Sequence, residues 1–64
     1  MWTTVFIAQD ENTSSKICKI FDEAEILVKI KPFINEQTNK KCFEIFVPFS
    51  ELNEALDLII DVQI

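Results

Sequence analysis

The chain contains no glycine and no histidine among its 64 residues. Average usage would give about four or five glycines in this length. Loops that hold a phosphate on backbone amides need conformations that only glycine adopts readily, so such a loop is excluded. Without histidine, the chain also lacks the most common general base, metal ligand and pH switch near neutrality. These two absences argue against most small catalytic and nucleotide-binding domains.

Arginine is also absent, and all six basic residues are lysines. Bidentate recognition of phosphate or guanine depends on the guanidinium group, and the net charge of the chain is −5. We therefore expect no nucleic-acid partner. The lysines lie in the middle of the chain, whereas every charge from Glu44 onward is negative. A solvated surface is the simpler interpretation, and a basic ridge that attracts an acidic ligand is the alternative.

The two cysteines give no redox or metal signature. Cys18 and Cys42 are too far apart for a Cys-x-x-Cys motif, and without histidine they cannot complete a four-ligand zinc site. The chain also lacks the features of a signal peptide and any run of about 18 to 20 apolar residues. We expect a cytoplasmic protein with reduced thiols, no metal or other cofactor, and no membrane partner.

A chain of this length forms one domain, residues 1–64. Its apolar content of 48%, with six phenylalanines, is too high for a disordered segment. Domains this small are marginally stable alone and commonly depend on disulfides, metals or oligomerisation. A large apolar content in a short chain therefore favours a partner, most simply a second copy.

The hydrophobic pattern predicts strands and helices in the order βαββα. Stretches of β-branched and aromatic residues predict three strands, and apolar spacing of i, i+3, i+4, i+7 predicts two helices. The predicted strands span about residues 2–8, 26–31 and 41–47, and the predicted helices about 13–23 and 50–61. This order predicts an α+β fold with a right-handed crossover and a hairpin. The simplest arrangement is a three-stranded antiparallel sheet in order 1-3-2, with both helices on one face, as in a ferredoxin-like fold that lacks its last strand.

Local residue chemistry predicts where these elements begin and end. Asn12 or Thr13 is expected to cap the first helix and Ser50 the second. Pro32 is expected to end the second strand. Asn35 and Asn39 are the residues best able to adopt left-handed conformations in a chain without glycine. The last three residues, 62–64, are too few to decide whether a vestigial fourth strand begins there.

Strand alternation divides the sheet into an aliphatic face and an aromatic face. The aliphatic face is expected to lie under the helices; its residues are Val5, Ile7, Val28, Ile30, Phe43, Ile45 and Val47. The opposite face should be polar if solvent covers it, yet it carries three aromatic residues and a leucine. We expect an interaction surface there, most simply in a homodimer; it consists of Trp2, Phe6, Leu27 and Phe46. The alternative is that loops, the C-terminus, or Phe33 and Phe49 cover this face within one chain.

The first strand offers a second route to a dimer. In the 1-3-2 order it lies at an edge of the sheet, and residues 3–8 include no lysine or proline that would protect that edge. Unprotected edges pair readily with other strands.

Carboxylates are the only plentiful catalytic groups. They cluster near the end of the first helix and on one face of the second, at Asp22, Glu23, Glu25, Asp57 and Asp61. A domain this small offers little concavity in which to desolvate a substrate, and its serines have no histidine to activate them. We therefore expect solvated helix faces and no enzymatic activity.

Three segments resemble one family of short, uncharacterised bacterial domains to which a signal-transducing role has been ascribed. They are Met1-Trp2-Thr3-Thr4-Val5-Phe6-Ile7-Ala8, Ala24-Glu25-Ile26-Leu27-Val28-Lys29-Ile30 and Glu44-Ile45-Phe46-Val47-Pro48-Phe49-Ser50-Glu51. The resemblance spans almost the whole chain and implies a βαββα domain with a signalling or regulatory role. It supplies no catalytic or binding residues. Glu25 stands where the family commonly has glycine.

The sequence therefore favours a non-enzymatic interaction or regulatory module that associates with itself. The alternative is a small-molecule sensor that holds an acidic metabolite at a subunit interface beside Lys29 and Lys31.

Overall fold

The structure has the predicted order of strands and helices. The computed structural model describes residues 1–62 of the chain. The elements are β1 (Trp2–Ala8), α1 (Glu11–Glu23), β2 (Lys29–Asn35), β3 (Lys40–Pro48), a 3₁₀ turn (Phe49–Glu51) and α2 (Leu52–Val62). β3 lies between the other two strands and pairs antiparallel with both, which gives the sheet order β1-β3-β2. The α+β fold and the 1-3-2 sheet order are confirmed.

Both helices cover the same face of the sheet. Ile45 and Val47 of β3 are fully buried and belong to one core cluster. Ile17 and Phe21 of α1 and Ala55 of α2 belong to the same cluster. Because Ile45 and Val47 are two residues apart, their side chains project from one face of β3. The molecule therefore has two layers, with the core between the helices and this face.

A β-bulge in β1 reverses the orientation of the residues that follow it. The pairing register shifts after Thr4, so that Val5 is an extra residue and Phe6 lies opposite Ile45. Phe6 therefore faces the helices and packs against the core. Ile7 lies on the other face and is 49% exposed. The expectations that Phe6 lies on the aromatic face and Ile7 in the core are wrong, because simple alternation does not allow for an extra residue.

β2 begins later than expected and continues through Pro32. The prediction placed this strand at residues 26–31, whereas the structure places it at Lys29–Asn35. β2 is an edge strand, where proline is tolerated if its nitrogen faces away from the neighbouring strand. Pro32 therefore does not end the strand.

α1 begins two residues before the expected position. Asp10 is its N-cap, and the Asp10 carboxylate accepts a hydrogen bond of 2.7 Å from the Thr13 backbone N–H. Asn12 and Thr13 therefore lie inside the helix, and the prediction that one of them caps it is wrong. The bond from Thr13 holds the pKa of Asp10 below its ordinary value.

α1 ends in a Schellman motif with an unusual residue at its centre. The Ile26 N–H donates to the Phe21 carbonyl at 2.9 Å, and the Glu25 N–H donates to the Asp22 carbonyl at 3.0 Å. This pattern requires a left-handed residue after the C-cap, usually glycine. Glu25 occupies that position with φ of 62°. The hydrophobic contact that accompanies the motif joins Ile26 to Phe21 in the core.

The 3₁₀ turn leads from β3 into α2. Ser50 lies inside this turn, and the residue in its N-cap position is Pro48, which provides no side-chain hydrogen bond. The prediction of a Ser50 cap is therefore wrong. Val62 ends α2; the rest of the possible fourth strand, residues 63 and 64, lies outside the described residues.

The hairpin between β2 and β3 uses asparagine where glycine is common. Asn39 has φ of 57°, as expected for a left-handed residue. Asn35 ends β2 instead, and its side-chain oxygen accepts a 2.9 Å hydrogen bond from the Gln37 N–H. The left-handed prediction is thus confirmed for Asn39 alone.

Candidate interaction surface

The face of the sheet opposite the helices contains residues from all three strands, and we call it the open face. Along each strand its members alternate with the residues that face the core. In β1 the extra residue at Val5 moves this alternation by one position. They include Trp2, Thr4 and Ile7 of β1, Lys29, Lys31 and Phe33 of β2, and Glu44 and Phe46 of β3. Neither helix supplies a cover for this face, because both pack on the other one.

Trp2, Lys29 and Phe46 form an aromatic and cationic group at one end of the open face. Lys29 lies directly opposite Phe46 in the β2–β3 ladder. The Lys29 ammonium nitrogen is 5.8 Å from the centroid of the Trp2 ring, within the range of a cation–π interaction. Trp2 nevertheless remains 44% exposed. The side chains of Trp2 and Lys29 therefore meet over the central strand, and much of the indole surface stays open to a partner.

An open groove of about 360 Å³ runs beside this group. Its lining residues are Trp2, Lys29, Ile30, Lys31, Pro32 and Phe46. Most of these side chains are apolar, and the two lysines bring positive charge to the groove. The groove can therefore accept an apolar group that carries a negative charge.

A polar row crosses the open face next to the groove. The Thr4 hydroxyl donates a 2.6 Å hydrogen bond to Glu44 Oε2. Glu44 lies directly opposite Lys31 in the β2–β3 ladder, an arrangement in which opposite charges attract. In the same ladder, the residue directly opposite Lys29 is Phe46 and not a carboxylate. The lysine nearest Trp2 thus has no carboxylate directly across from it.

The structure brings together only part of the predicted interaction surface. Trp2 and Phe46 line the groove, as do Lys29 and Lys31, the two residues predicted to bind a ligand. Leu27 is 67% exposed in the segment before β2 and does not line the groove. Phe6 packs against the core on the opposite face.

Sequence reasoning missed Ile7, Ile30 and Pro32 at this surface. Ile7 reaches the open face only because of the bulge at Val5. Glycine often marks a bulge, and this chain has none. Ile30 and Pro32 also line the groove: Ile30 was expected under the helices but is 41% exposed, and Pro32 was expected to end β2 but lies within it.

The two thiols differ in their surroundings. Partial burial in α1 raises the pKa of Cys18, and a hydrogen bond with the Ser14 side chain opposes that effect. Cys42 is buried, and its Sγ atom is 3.9 Å from the Lys40 carbonyl oxygen. Because thiolate is the reactive form, the environment of Cys18 disfavours nucleophilic chemistry there.

The described part of the chain has neither a metal-binding cluster nor a helix that could span a membrane. Within residues 1–62, the carboxylates and thiols form no cluster of three or more that could hold a metal ion. In the same range, neither helix has the length and apolar character needed to cross a bilayer.

Comparison with family models, with curated proteins and with solved structures found no match to this chain. The function is therefore inferred from the fold and the open face.

Proposed function

We propose that this chain is a non-enzymatic interaction or regulatory module that associates with itself through its open face. The observation that carries the proposal is the position of Trp2 and Phe46. These aromatic side chains lie together on the face that the helices leave uncovered. Exposed aromatic groups beside a charged rim are typical of protein interaction sites.

The apolar area available on the open face sets the strength of the association. Burial of roughly 300 Å² around Trp2, Ile7 and Phe46 would contribute about 7 kcal/mol, at about 25 cal/mol per Å². Association itself costs at least about 4 kcal/mol. The two terms are of similar size, so the proposal is a reversible association that depends on protein concentration. Reversible association suits a regulatory module, the role that the family resemblance implies.

The substitution Phe46→Glu tests the proposal. It places a charge on the open face while leaving the core cluster intact, because Phe46 is not a member of that cluster. Phe49→Glu is the matched control, since Phe49 is 65% exposed in the 3₁₀ turn outside the sheet. Both variants add the same negative charge, so a difference between them reports the position of the charge.

Sedimentation equilibrium over a range of concentrations gives the mass of each protein. We expect the wild type and Phe49→Glu to show the same rise in mass with concentration. We expect Phe46→Glu to lose about twofold in mass at the highest concentration, with unchanged helical circular dichroism. A wild type that remains monomeric, or a Phe46→Glu variant that associates as the wild type does, would refute self-association through this face.

A second candidate function is the sensing of an acidic metabolite in the groove. The supporting observation is that Lys29 and Lys31 both line the groove beside an indole ring. A thermal-shift screen of anionic metabolites tests it, with a Lys29→Gln/Lys31→Gln variant and a Lys16→Gln/Lys19→Gln control on α1. A ligand that stabilises the wild type and the control but not the groove variant would support sensing. A broad screen without any shift would count against it.

A further inference from the structure

The backbone hydrogen bonds show which groups of β1 face away from the sheet. The Met1 carbonyl accepts a 2.8 Å hydrogen bond from the Phe49 N–H. This bond continues the register in which Trp2 lies opposite Pro48 and Thr3 opposite Val47. In an antiparallel ladder, hydrogen-bonded and non-hydrogen-bonded pairs alternate. The N–H and C=O groups of Trp2 and Thr4 therefore point away from β3, at the outer edge of β1.

The outer edge of β2 is protected by its sequence. The same alternation places the backbone groups of Lys31 toward β3, because Lys31 lies opposite Glu44. Pro32 is the next residue, so its nitrogen faces outward, where any other residue would offer an N–H. The missing donor interrupts this edge in the middle of the strand, and lysines at 29 and 31 lie on the same strand. Proline and lysine are the devices that prevent edge-to-edge pairing.

The outer edge of β1 has none of this protection. Trp2–Ala8 contains no charged residue and no proline. Its sequence is also compatible with a second copy of itself, because two uncharged strands can pair antiparallel without placing like charges opposite each other. Two identical antiparallel strands form a symmetric pair when each residue of one strand lies opposite the same partner position in both directions. If Trp2 of one chain lies opposite Thr4 of the other, Thr4 of the first chain also lies opposite Trp2 of the second. In this arrangement the paired residues of both chains use their outward-facing backbone groups.

We infer that the outer edge of β1 pairs antiparallel with the same edge of a second copy, with Trp2 of each chain opposite Thr4 of the other. Each such pair exchanges two hydrogen bonds, so the contact has about four in total. The bulge at Val5 limits the paired segment to the residues before it. The result is one continuous sheet in the order β2-β3-β1-β1-β3-β2.

This contact goes beyond the proposed function because it uses the sheet edge and not the open face. A twofold axis that relates two antiparallel edge strands of one sheet is perpendicular to the sheet. The two open faces then lie on the same side and the four helices on the other. Edge pairing thus leaves both open faces accessible, and the two surfaces can be tested separately.

The substitution Thr4→Pro tests the edge, because it removes an outward-facing N–H in the manner of Pro32. Thr4→Val is the matched control: it keeps the N–H, while both variants lose the hydroxyl that donates to Glu44. The variants are compared in a Phe46→Glu background, where association through the open face is blocked. We expect Thr4→Val to dimerise at high concentration, and Thr4→Pro to dimerise about tenfold or more weakly.

Amide hydrogen exchange of the Phe46→Glu protein supplies a measurement that does not depend on the folding of Thr4→Pro. We expect the Thr4 N–H to become protected as the protein concentration rises, while the outward Ile30 N–H on β2 stays unprotected. Equal dimerisation of Thr4→Pro and Thr4→Val would overturn the inference. A Thr4 N–H that exchanges at the same rate at every concentration would also overturn it. Either result would leave the open-face proposal standing, since that proposal depends on Phe46.

Discussion

At the residue scale, single side chains determine the ends of α1. Asp10 fixes its beginning through the bond to Thr13. Glu25 fixes its end by adopting a conformation that favours glycine. The sequence shows that the end of α1 lacks the usual glycine, but sequence reasoning missed Asp10 as the cap. Three of the polar residues 10–13, namely Asp10, Asn12 and Thr13, are of types that cap helices, and only the tertiary structure selects one.

Glu25→Gly is expected to stabilise the protein. A left-handed residue with a Cβ atom costs about 1–2 kcal/mol, and glycine removes most of this cost. We expect the free energy of unfolding in urea to rise by about 1 kcal/mol, since the greater freedom of glycine in the unfolded chain offsets part of the gain. Glu25→Ala is the control, because it removes the same charge and keeps the Cβ atom. If the glycine and alanine variants were equally stable, strain at this position would be disproved.

The Asp10 cap is expected to make stability depend on pH in acid. Hydrogen bonding to the Thr13 N–H lowers the pKa of Asp10 from its ordinary value of 3.8. The ionised carboxylate therefore stabilises the folded state. Its contribution is complete above pH 3.8 and is lost as the pH falls through the lower pKa of the folded state.

Asp10→Asn separates the charge of this cap from its hydrogen bond. Asparagine also caps helices well, so we expect this variant to unfold near neutral pH much as the wild type does. We expect its stability to fall less steeply in acid, as measured by urea unfolding at a series of pH values. Parallel curves for the two proteins would show that the Asp10 charge does not contribute.

At the scale of elements, the order, type and approximate extent of the strands and helices follow from periodicity. Periodicity succeeds because the core-facing residues recur at every second position in β3 and at every third or fourth position in α1. It fails in β1, where Val5 is an extra residue, and in β2, where an edge position tolerates Pro32. Both failures depend on which neighbour each strand pairs with. That information is not present in the strand's own sequence.

The bulge predicts unequal effects for two adjacent substitutions in β1. Phe6 packs against the core, whereas Ile7 lies on the open face. We expect Phe6→Ala to lower the free energy of unfolding by about 2–3 kcal/mol and Ile7→Ala by less than about 1 kcal/mol. Urea unfolding at a low protein concentration, where association does not contribute, measures both. A larger loss for Ile7→Ala would indicate regular alternation without a bulge.

At the scale of the whole molecule, two helices cover one face of a three-stranded sheet, and within residues 1–62 the other face has no cover. The sequence predicted this arrangement and the positions of Trp2, Phe46, Lys29 and Lys31. It misplaced Phe6, which packs against the core, and did not include Phe33, so the aromatic residues of the open face are Trp2, Phe33 and Phe46. Self-association through the open face therefore requires that the aromatic group around Trp2 becomes buried when two chains meet.

Fluorescence of Trp2 measures this directly, because Trp2 is the only tryptophan in the chain. We expect quenching by acrylamide to decrease, and the emission maximum to shift to shorter wavelength, as the concentration of the wild-type protein rises. We expect only a small change in Phe46→Glu, where any dimer forms through the edge of β1, and the wild-type response in the Phe49→Glu control. Wild-type quenching that stays constant from dilute to concentrated solution would contradict burial of Trp2 in an association through the open face.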